Sequence, residues 1–541
     1  MISTVFITIS VFLVKTAVAE SLLPKLPPSS DNATLSMIKT LFVKKFEFSG
    51  NTVFSDERLS TLTAGYENRK ITAGELQDVR RILSDFYLNQ GYINSGAIFP
   101  NQKVKQGIVR VKIIEGRLTR VDISGNTKLK SDYITKRILP GSEKEAVLNI
   151  NDLQNRLKLL KQNPLIKQVN ASLSPGTGLG SSNLKIDIEE ETPYRFSLNY
   201  NNHRASSLGE HHAAIKAGHH NLTGRADRFD ISYGLTQGLK NYSLSYSIPL
   251  NRKDMMLTLS HEVSDAAVVS RPLNRLDIEN ESYTSSVAIE QPFYKTIFSE
   301  FAMGLKLEKK HSKTFLLGRP YSFSPGVQDG KTDVSVLRFS QDFVTRGKHQ
   351  VIAAHSCFGF GLDIWDSTRN NDDPDGTFST WLGQFQWLWQ SKWLNSQLLF
   401  KTDLSLSRDP LLPLEKFSIG GATSVRGYPE NYLTRDNGLV STIEWRIPIA
   451  RLGFPGMSKN NQDGVIQIAP FFDYGQGWNT KTHTPSPWDI SSAGIGIRWR
   501  INPKSLVELY WGKALRNLES YEDKSDLQSN GFHFNITIGF L

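Results

Sequence analysis

The chain of 541 residues contains one cysteine, Cys357. A framework of intramolecular disulfides is therefore excluded. After the first twenty residues, no apolar run approaches the roughly 18 residues that a membrane-spanning helix requires, so a helical membrane protein is excluded as well. The low hydropathy does not exclude a transmembrane β-barrel, because only alternate residues of a barrel strand face lipid.

The sequence also lacks the signatures of common catalytic and binding sites. Neither G-x-S-x-G nor H-E-x-x-H is present, so we predict no enzyme activity and no cofactor. Two pairs of adjacent histidines, His211 with His212 and His219 with His220, could suggest a metal site. Adjacent residues on a strand point to opposite faces, so no single site collects all four and no metal is predicted. The glycine-rich segment 176–180 follows a predicted helix and leads into a strand, the reverse of a phosphate-binding loop, and we interpret it as a turn.

The net charge of +10 comes from Lys and Arg that are dispersed along the chain. No basic stripe marks a nucleic-acid-binding module, so no nucleic-acid partner is predicted, and a channel lumen of mixed charge is the favoured interpretation. We interpret the acidic run Glu189, Glu190 and Glu191 as a solvated linker.

Residues 1–19 predict a secretory signal peptide. An apolar stretch runs from Val5 to Val14, and Ala17-Val18-Ala19 provides a small-x-small cleavage site. A structural strand or an anchor helix is the alternative. Residues 20–40 are rich in Pro and Ser and predict a flexible lead-in.

Two related units follow, at 41–117 and 118–192. The segment FEFSGNT at 46–52 returns about 75 residues later as VDISGNT at 121–127, and this period is the size of a small domain. In both units the order is a strand with a Ser-Gly-Asn turn, then two helices and two strands.

Helix-capping residues are predicted in both units. Ser55 and Ser131 are expected to cap the short helices. Thr72 and Glu75 form a capping box for the first long helix, and the second long helix is expected to begin at Asn151.

The remainder, 193–541, has almost no helical periodicity and predicts a barrel of sixteen antiparallel strands. The predicted strands are 193–202, 211–218, 226–234, 240–249, 254–263, 281–290, 298–309, 332–341, 349–360, 380–391, 395–406, 437–448, 465–475, 490–500, 504–512 and 531–541. Long odd-numbered connections alternate with short even-numbered ones, which is typical of outer-membrane barrels. A soluble β-sandwich or propeller is the alternative, but the many outward aromatics would then need a second sheet.

The longest predicted outer connection contains Val425-Arg426-Gly427-Tyr428. Strand 465–475 contains Phe471, Asp473 and Gly475, and its alternation directs Asp473 into the lumen, with Gly475 leaving space beside it. An inward carboxylate and a loop arginine predict a bidentate ion pair inside the barrel.

These residues resemble the motifs of a known superfamily. Val425-Arg426-Gly427-Tyr428 is similar to the VRGY signature of the outer-membrane superfamily that includes the barrel-assembly factor and the two-partner secretion transporters. There the loop folds back into the lumen and its arginine pairs with the aspartate of an F-x-D-x-G motif, which Phe471, Asp473 and Gly475 match. The repeats at 41–117 and 118–192 resemble POTRA domains. Two of them before a sixteen-stranded barrel resemble the haemolysin secretion and activation type, whereas the barrel-assembly factor typically has five.

The resemblance implies a protein translocation channel in the outer membrane of a Gram-negative bacterium, with its POTRA domains in the periplasm. The implied partners are one large secreted protein that is unfolded in transit and is secreted with or without activation, the membrane lipid, and the barrel-assembly machinery. A barrel-assembly insertase and a passive porin are the alternatives. The chain departs from the family in two places: 20–40 is too short to supply a plug helix with its linker, and the chain ends on Leu541 after the aromatic Phe540.

Overall fold

The computed structural model describes residues 40–139, 147–371, 374–516 and 526–540. The predicted signal peptide, residues 20–39 of the predicted lead-in and Leu541 lie outside the described residues. The chain divides into two compact units, with the boundary between Glu191 and Thr192. In the described part of the chain, no helix is long and apolar enough to cross a membrane.

The first unit contains two α+β modules. The second has the predicted order of one strand, two helices and two strands, and the first has the same order with two additional short strands. The elements of the first module are β1 Leu41–Val43, β2 Lys45–Ser49, α1 Asp56–Thr63, β3 Arg69–Ile71, α2 Ala73–Asn89, β4 Gly96–Ile98 and β5 Ile108–Ile114. Those of the second are β6 Arg117–Ser124, α3 Ser131–Ile138, α4 Ile150–Lys161, β7 Ile166–Pro175 and β8 Ser181–Glu190. The sheets have the orders β2-β5-β4 and β6-β8-β7, and β1 pairs separately with β3.

The two modules repeat a contact that the sequence did not indicate. Glu115 accepts hydrogen bonds from the backbone N–H groups of Thr52 at 2.7 Å and Val53 at 2.9 Å, and from the buried Tyr87 hydroxyl at 3.1 Å. Burial and the neighbouring Glu115 carboxylate raise the pKa of Tyr87 well above its usual range, so the hydroxyl stays a donor.

Glu190 occupies the equivalent place in the second module. It accepts from the hydroxyl of Thr127 at 3.0 Å and from the backbone N–H of Leu129 at 2.7 Å, and the glutamate follows the threonine by 63 residues in both modules. Glu190 is therefore a structural acceptor at the end of β8, and its interpretation as part of a solvated linker was wrong.

The helix starts agree with the prediction in the first module and differ in the second. Ser55 caps α1, and Thr72 with Glu75 forms the capping box of α2. The predicted cap at Ser131 is wrong because this residue is already helical, and its hydroxyl accepts instead from Asn126 at 3.0 Å.

The start of α4 also differs from the prediction. Asn149, two residues before the predicted start at Asn151, caps α4 by accepting from the Asn151 N–H at 2.9 Å. The segment 176–180 is a turn as predicted, but it joins two strands, β7 and β8, and does not follow a helix.

The second unit is a closed antiparallel barrel in which all sixteen predicted strands are present. The long strands are β9 Tyr194–Asn201, β10 His212–His219, β11 Arg228–Leu235, β12 Leu239–Pro249, β13 Met256–Ala267, β14 Ile278–Lys295, β15 Ser299–Leu316, β17 Lys331–Arg346, β18 Gln350–Leu362, β19 Ser379–Gln390, β20 Gln397–Ser407, β23 Asn437–Arg451, β24 Val465–Trp478, β25 Asp489–Asn502, β26 Ser505–Ala514 and β27 Phe532–Gly539. β27 pairs with β9 and closes the barrel.

Short elements occupy the connections of both units. The strands are β16 Arg319–Pro320, β21 Phe417–Ile419 and β22 Leu433–Arg435, and the 3₁₀ turns are Ala64–Tyr66, Ser206–Leu208, Leu273–Leu276, Trp393–Asn395 and Pro413–Glu415.

The alternation of each strand separates an apolar outer face from a polar inner face. On β24, Phe472 is 44% exposed on the outside, whereas its neighbour Asp473 is fully buried on the inside. β14 and β15 are each 18 residues long and exceed their predicted spans. The additional residues at these strand ends include polar outward side chains such as Glu279 and Lys313, so the apolar alternation that marks a strand in the sequence stops before the strand does.

Candidate functional site

The connection 408–436, which we call the lumen loop, folds into the barrel. Its strands β21 and β22 form a hairpin. The loop residues Val425 and Tyr428 are fully buried, and they pack in one cluster with Val440 of β23 and Ile490 of β25, which face inward. The lumen loop is therefore held against the inner wall by a small apolar core as well as by charge.

Arg426 reaches two carboxylates on neighbouring strands. Its Nε donates to Oδ2 of Asp473 at 2.8 Å and one Nη donates to Oδ1 at 2.9 Å, a bidentate pair. Its other Nη donates to Glu444 of β23 at 2.5 Å, and its backbone N–H donates to Asp473 at 3.0 Å. Arg426 is 6% exposed, so these charge-assisted bonds are shielded from water.

Two aromatic rings enclose the guanidinium. Its central carbon lies 3.6 Å from the ring centroid of Phe471 and 4.6 Å from that of Tyr510 on β26. A cation over a ring face is attracted to the ring, and more strongly when water is excluded. The structure thus gives Phe471 a defined contact with Arg426.

The ion pair belongs to a larger network, which we call the tip clasp. Its members are Arg426, Glu444, Arg446, Asp473, Arg498 and Glu508. Arg446 donates to Glu444 at 2.7 Å, and Arg498 lies 3.6 Å from Glu444 and 2.8 Å from Glu508. The alternation of β23 and β25 in the sequence is enough to place Glu444, Arg446 and Arg498 on the inner face, but it does not assign them to the site, because alternation gives the face of a residue and not its partner.

Glycines let the loop approach the wall closely. Gly427 has a φ of 90°, and a Cβ there would lie 2.7 Å from the carbonyl oxygen of Gly512 on β26. The backbone N–H of Gly427 donates to Nε2 of His533 at 3.1 Å. The space that we expected beside Gly475 is filled by the loop, since a Cβ there would lie 2.7 Å from a methyl carbon of Val425.

A second ionic cluster, which no sequence motif indicates, holds the beginning of the lumen loop. We call it the stem clasp, and its members are Lys306, Glu308 and Lys310 on β15, Arg338 on β17 and Glu415 in the loop. Glu415 lies 2.8 Å from both Arg338 and Lys310, and Arg338 donates to Glu308 at 2.5 Å. Beside it, Leu411 and Leu412 are buried against Val334, Val336 and Phe378.

The lumen loop is therefore fixed at two separate places on the barrel wall, at β15 and β17 and again at β23 to β26. Among the described residues, no group of three or more His, Cys, Asp or Glu side chains is arranged to hold a metal ion. The site can hold a loop across a channel through reversible ionic contacts.

Residues 180–499, well over half of the chain, match the family described as haemolysin secretion/activation protein ShlB/FhaC/HecB. The chain belongs to this family. Residues 41–116 match the POTRA domain of the ShlB type.

Individual relatives agree with the family match. The chain is 22% identical over 498 residues to the outer membrane transporter CdiB of Dickeya dadantii, covering 87% of this chain and 83% of that protein. It is 23% identical over 413 residues to the hemolysin transporter protein HpmB of Proteus mirabilis, covering 73% and 70%. Its fold is similar to that of CdiB from Escherichia coli, with a TM-score of 0.69 at 18% identity over 96% of this chain and 94% of that one.

Proposed function

We propose that this chain is the outer-membrane transporter of a two-partner secretion pair, and that it passes one large exoprotein, unfolded in transit, from the periplasm to the cell surface. The proposal is carried by one observation. The chain belongs to the family, and its closed sixteen-strand barrel contains a loop that ion pairs hold inside the lumen. A loop that is held by ion pairs can be released and held again, and a channel for a bulky chain needs this property.

The POTRA modules are proposed to receive the exoprotein. The sheet order β6-β8-β7 leaves one edge of β7 without a partner strand in the described part of the chain. β7 is ten residues long and most of its residues are exposed. Free backbone N–H and C=O groups along such an edge accept an added strand, so we assign docking of the N-terminal domain of the exoprotein to β-augmentation.

The driving force is proposed to be folding of the exoprotein outside the cell. The sequence carries no phosphate-binding loop that would couple transport to a nucleotide. We also propose that the outward apolar side chains contact membrane lipid and that the barrel-assembly machinery inserts the barrel.

A secretion assay tests the function. The chain is expressed with the exported protein encoded by a neighbouring reading frame in a Gram-negative host that lacks both, and the exoprotein in the medium is measured. Arg426→Ala is expected to cripple release while the barrel still assembles, as judged by heat-dependent gel migration. Arg369→Ala is the matched control, since Arg369 is 51% exposed and lies in the outer connection between β18 and β19.

The outcomes of this assay distinguish the role of the lumen loop from the transport function of the whole protein. Full release by Arg426→Ala would contradict the role of the clasp, and no release by the unmodified chain would contradict the function. If depletion of the chain lowered many outer-membrane proteins, an insertase would be indicated. Uptake of small solutes without protein release would indicate a porin.

A further inference from the structure

One sector of the barrel wall differs in chemistry from the rest of the inner surface. On β11 to β14, ten of the inward side chains are small hydroxyls. They are Ser232, Ser243, Ser245, Ser247, Thr258, Ser260, Ser264, Ser282, Thr284 and Ser286. We call this set the hydroxyl wall.

The strand register fixes the inward direction of these residues. Directly paired residues share a face of a sheet. Leu259 and its partner Val287 are 46% and 49% exposed on the outside of the barrel. Their neighbours along the strands, Ser260 and Ser286, are partners on the opposite face and lie 2.7 Å apart through their hydroxyls.

The hydroxyl wall is open, whereas the wall that carries the tip clasp is covered. Nine of the ten hydroxyl side chains are partly exposed and one is buried. By contrast, the inward residues Glu444, Asp473 and Arg498 are 3%, 0% and 4% exposed, because the lumen loop and their own ion pairs cover them. The two clasps fix the lumen loop to β15 and β17 and to β23 to β26. The loop therefore does not cover the inner surface of β11 to β14.

The chemistry of the hydroxyl wall suits an extended polypeptide of any sequence. A hydroxyl donates and accepts and rotates freely, so it pairs equally with a backbone N–H or C=O. Six of these hydroxyls also bond to one another across strands, Ser232 with Ser243 at 2.6 Å, Ser247 with Thr258 at 2.9 Å and Ser260 with Ser286 at 2.7 Å, so these six have a partner before and after a chain passes. The small side chains leave room, and the set carries no apolar surface to retain an unfolded chain.

From this we infer that the hydroxyl wall of β11 to β14 is the surface along which the exported polypeptide moves through the barrel, while the lumen loop stays clasped to β15, β17 and β23 to β26. The charged residues on the same inner face do not form one dense network. Asp230 pairs with His220, and Lys295 at the end of β14 pairs with Asp254 and Glu300. Arg228, Glu262 and Glu290 lie among the hydroxyls. The inference rests on the proposed function and assigns the path of the exoprotein within it.

Disulfide trapping in the full-length chain tests the path. In a Cys357→Ser background, single cysteines are introduced as Ser245→Cys or Ser260→Cys on the hydroxyl wall. Gln386→Cys on β19 is the matched position on another inward face, and Leu244→Cys faces lipid. The protein is reconstituted in liposomes and mixed with a synthetic Gly/Ser/Asn/Thr peptide that carries one cysteine. A length of about 40 residues spans the roughly 30 Å hydrocarbon layer when extended.

After oxidation with copper phenanthroline, the peptide adduct is quantified on a gel, and peptide-dependent blocking of the ionic current is recorded in parallel. We expect several-fold more adduct at positions 245 and 260 than at 386, and little at 244. Adduct at 386 or 244 that equals or exceeds that at 245 and 260 would overturn the path, and so would current blocking without adduct at 245 and 260. If there were neither adduct at any position nor current blocking, the channel would not admit a polypeptide, and the proposed function would fail together with the path.

Discussion

Removal of the Arg426 side chain is expected to release the tip of the lumen loop. In the structure this side chain makes two bonds to Asp473 and one to Glu444, and all three groups are buried. Breaking a buried ion pair by removing one partner costs about 3–5 kcal/mol, because the other charge is left without compensation. Since about 1.4 kcal/mol is a factor of ten, Arg426→Ala should raise the population of released loop by roughly 10²-fold or more.

Hydrogen–deuterium exchange of the full-length protein in lipid measures this release directly. Peptides covering 420–432 should exchange faster in Arg426→Ala, above all at Gly427, whose N–H is bonded to His533. Arg446→Ala is the matched control, because Arg446 bonds to the same Glu444 carboxylate but belongs to β23 and not to the loop. Equal exchange in Arg426→Ala and the unmodified chain would refute the reasoning. Exchange that rises equally in Arg426→Ala and Arg446→Ala would refute it as well.

Three further predictions concern the loop and the first module. Gly427→Ala should also release the tip of the loop, because the φ of Gly427 is 90° and the new methyl group would meet the Gly512 carbonyl. Gly456→Ala is the control. Its φ is 78° and the space around it is open, so hydrogen exchange of the loop should not change. Glu415→Ala should loosen the stem of the loop, because it removes the partner of Arg338 and Lys310. Single-channel recordings should then show larger current fluctuations than the unmodified chain. Recordings that match those of the unmodified chain would contradict the stem clasp. Glu115→Ala removes an acceptor worth about 1.5–3 kcal/mol for a hydrogen bond to a charged group. The melting temperature of the first module should fall by roughly 6 °C or more, since about 1 kcal/mol shifts a domain of this size by 4–8 °C. Circular dichroism at the helical signal measures this melting, because the α-helices of the described residues all lie in the first unit. An unchanged midpoint would show that Glu115 is dispensable.

The barrel could be predicted from the sequence because a single rule governs it. A strand between lipid and a wet lumen must alternate, so each of the sixteen strands carries its own evidence. In β12, for example, Ser243 and Ser245 alternate with Tyr242, Leu244 and Tyr246. The rule fails where a strand leaves the lipid. There the outward side is polar, and the ends of β14 and β15 were therefore missed.

The tertiary partners of charged residues were only partly predictable. A motif resemblance linked Arg426 to Asp473, but alternation alone gave no reason to place Arg426, Arg446 and Arg498 around the same Glu444 carboxylate. These residues meet because three strands and the inserted loop bring them together, and this register is a property of the whole barrel. Glu115 and Glu190 were missed for a similar reason, since their acceptor role depends on a strand end that returns to a turn 63 residues earlier.

The charges of the two clasps make insertion of the loop directional. Without Arg426, the tip clasp holds three carboxylates and two arginines, an excess of one negative charge. Without Glu415, the stem clasp holds three cations and one carboxylate, an excess of two positive charges. The loop offers an acid to the positive site and an arginine to the negative site, so only one placement reduces both excesses. Because an uncompensated charge is far more costly in a covered site than in water, the barrel wall itself specifies which end of the loop binds where.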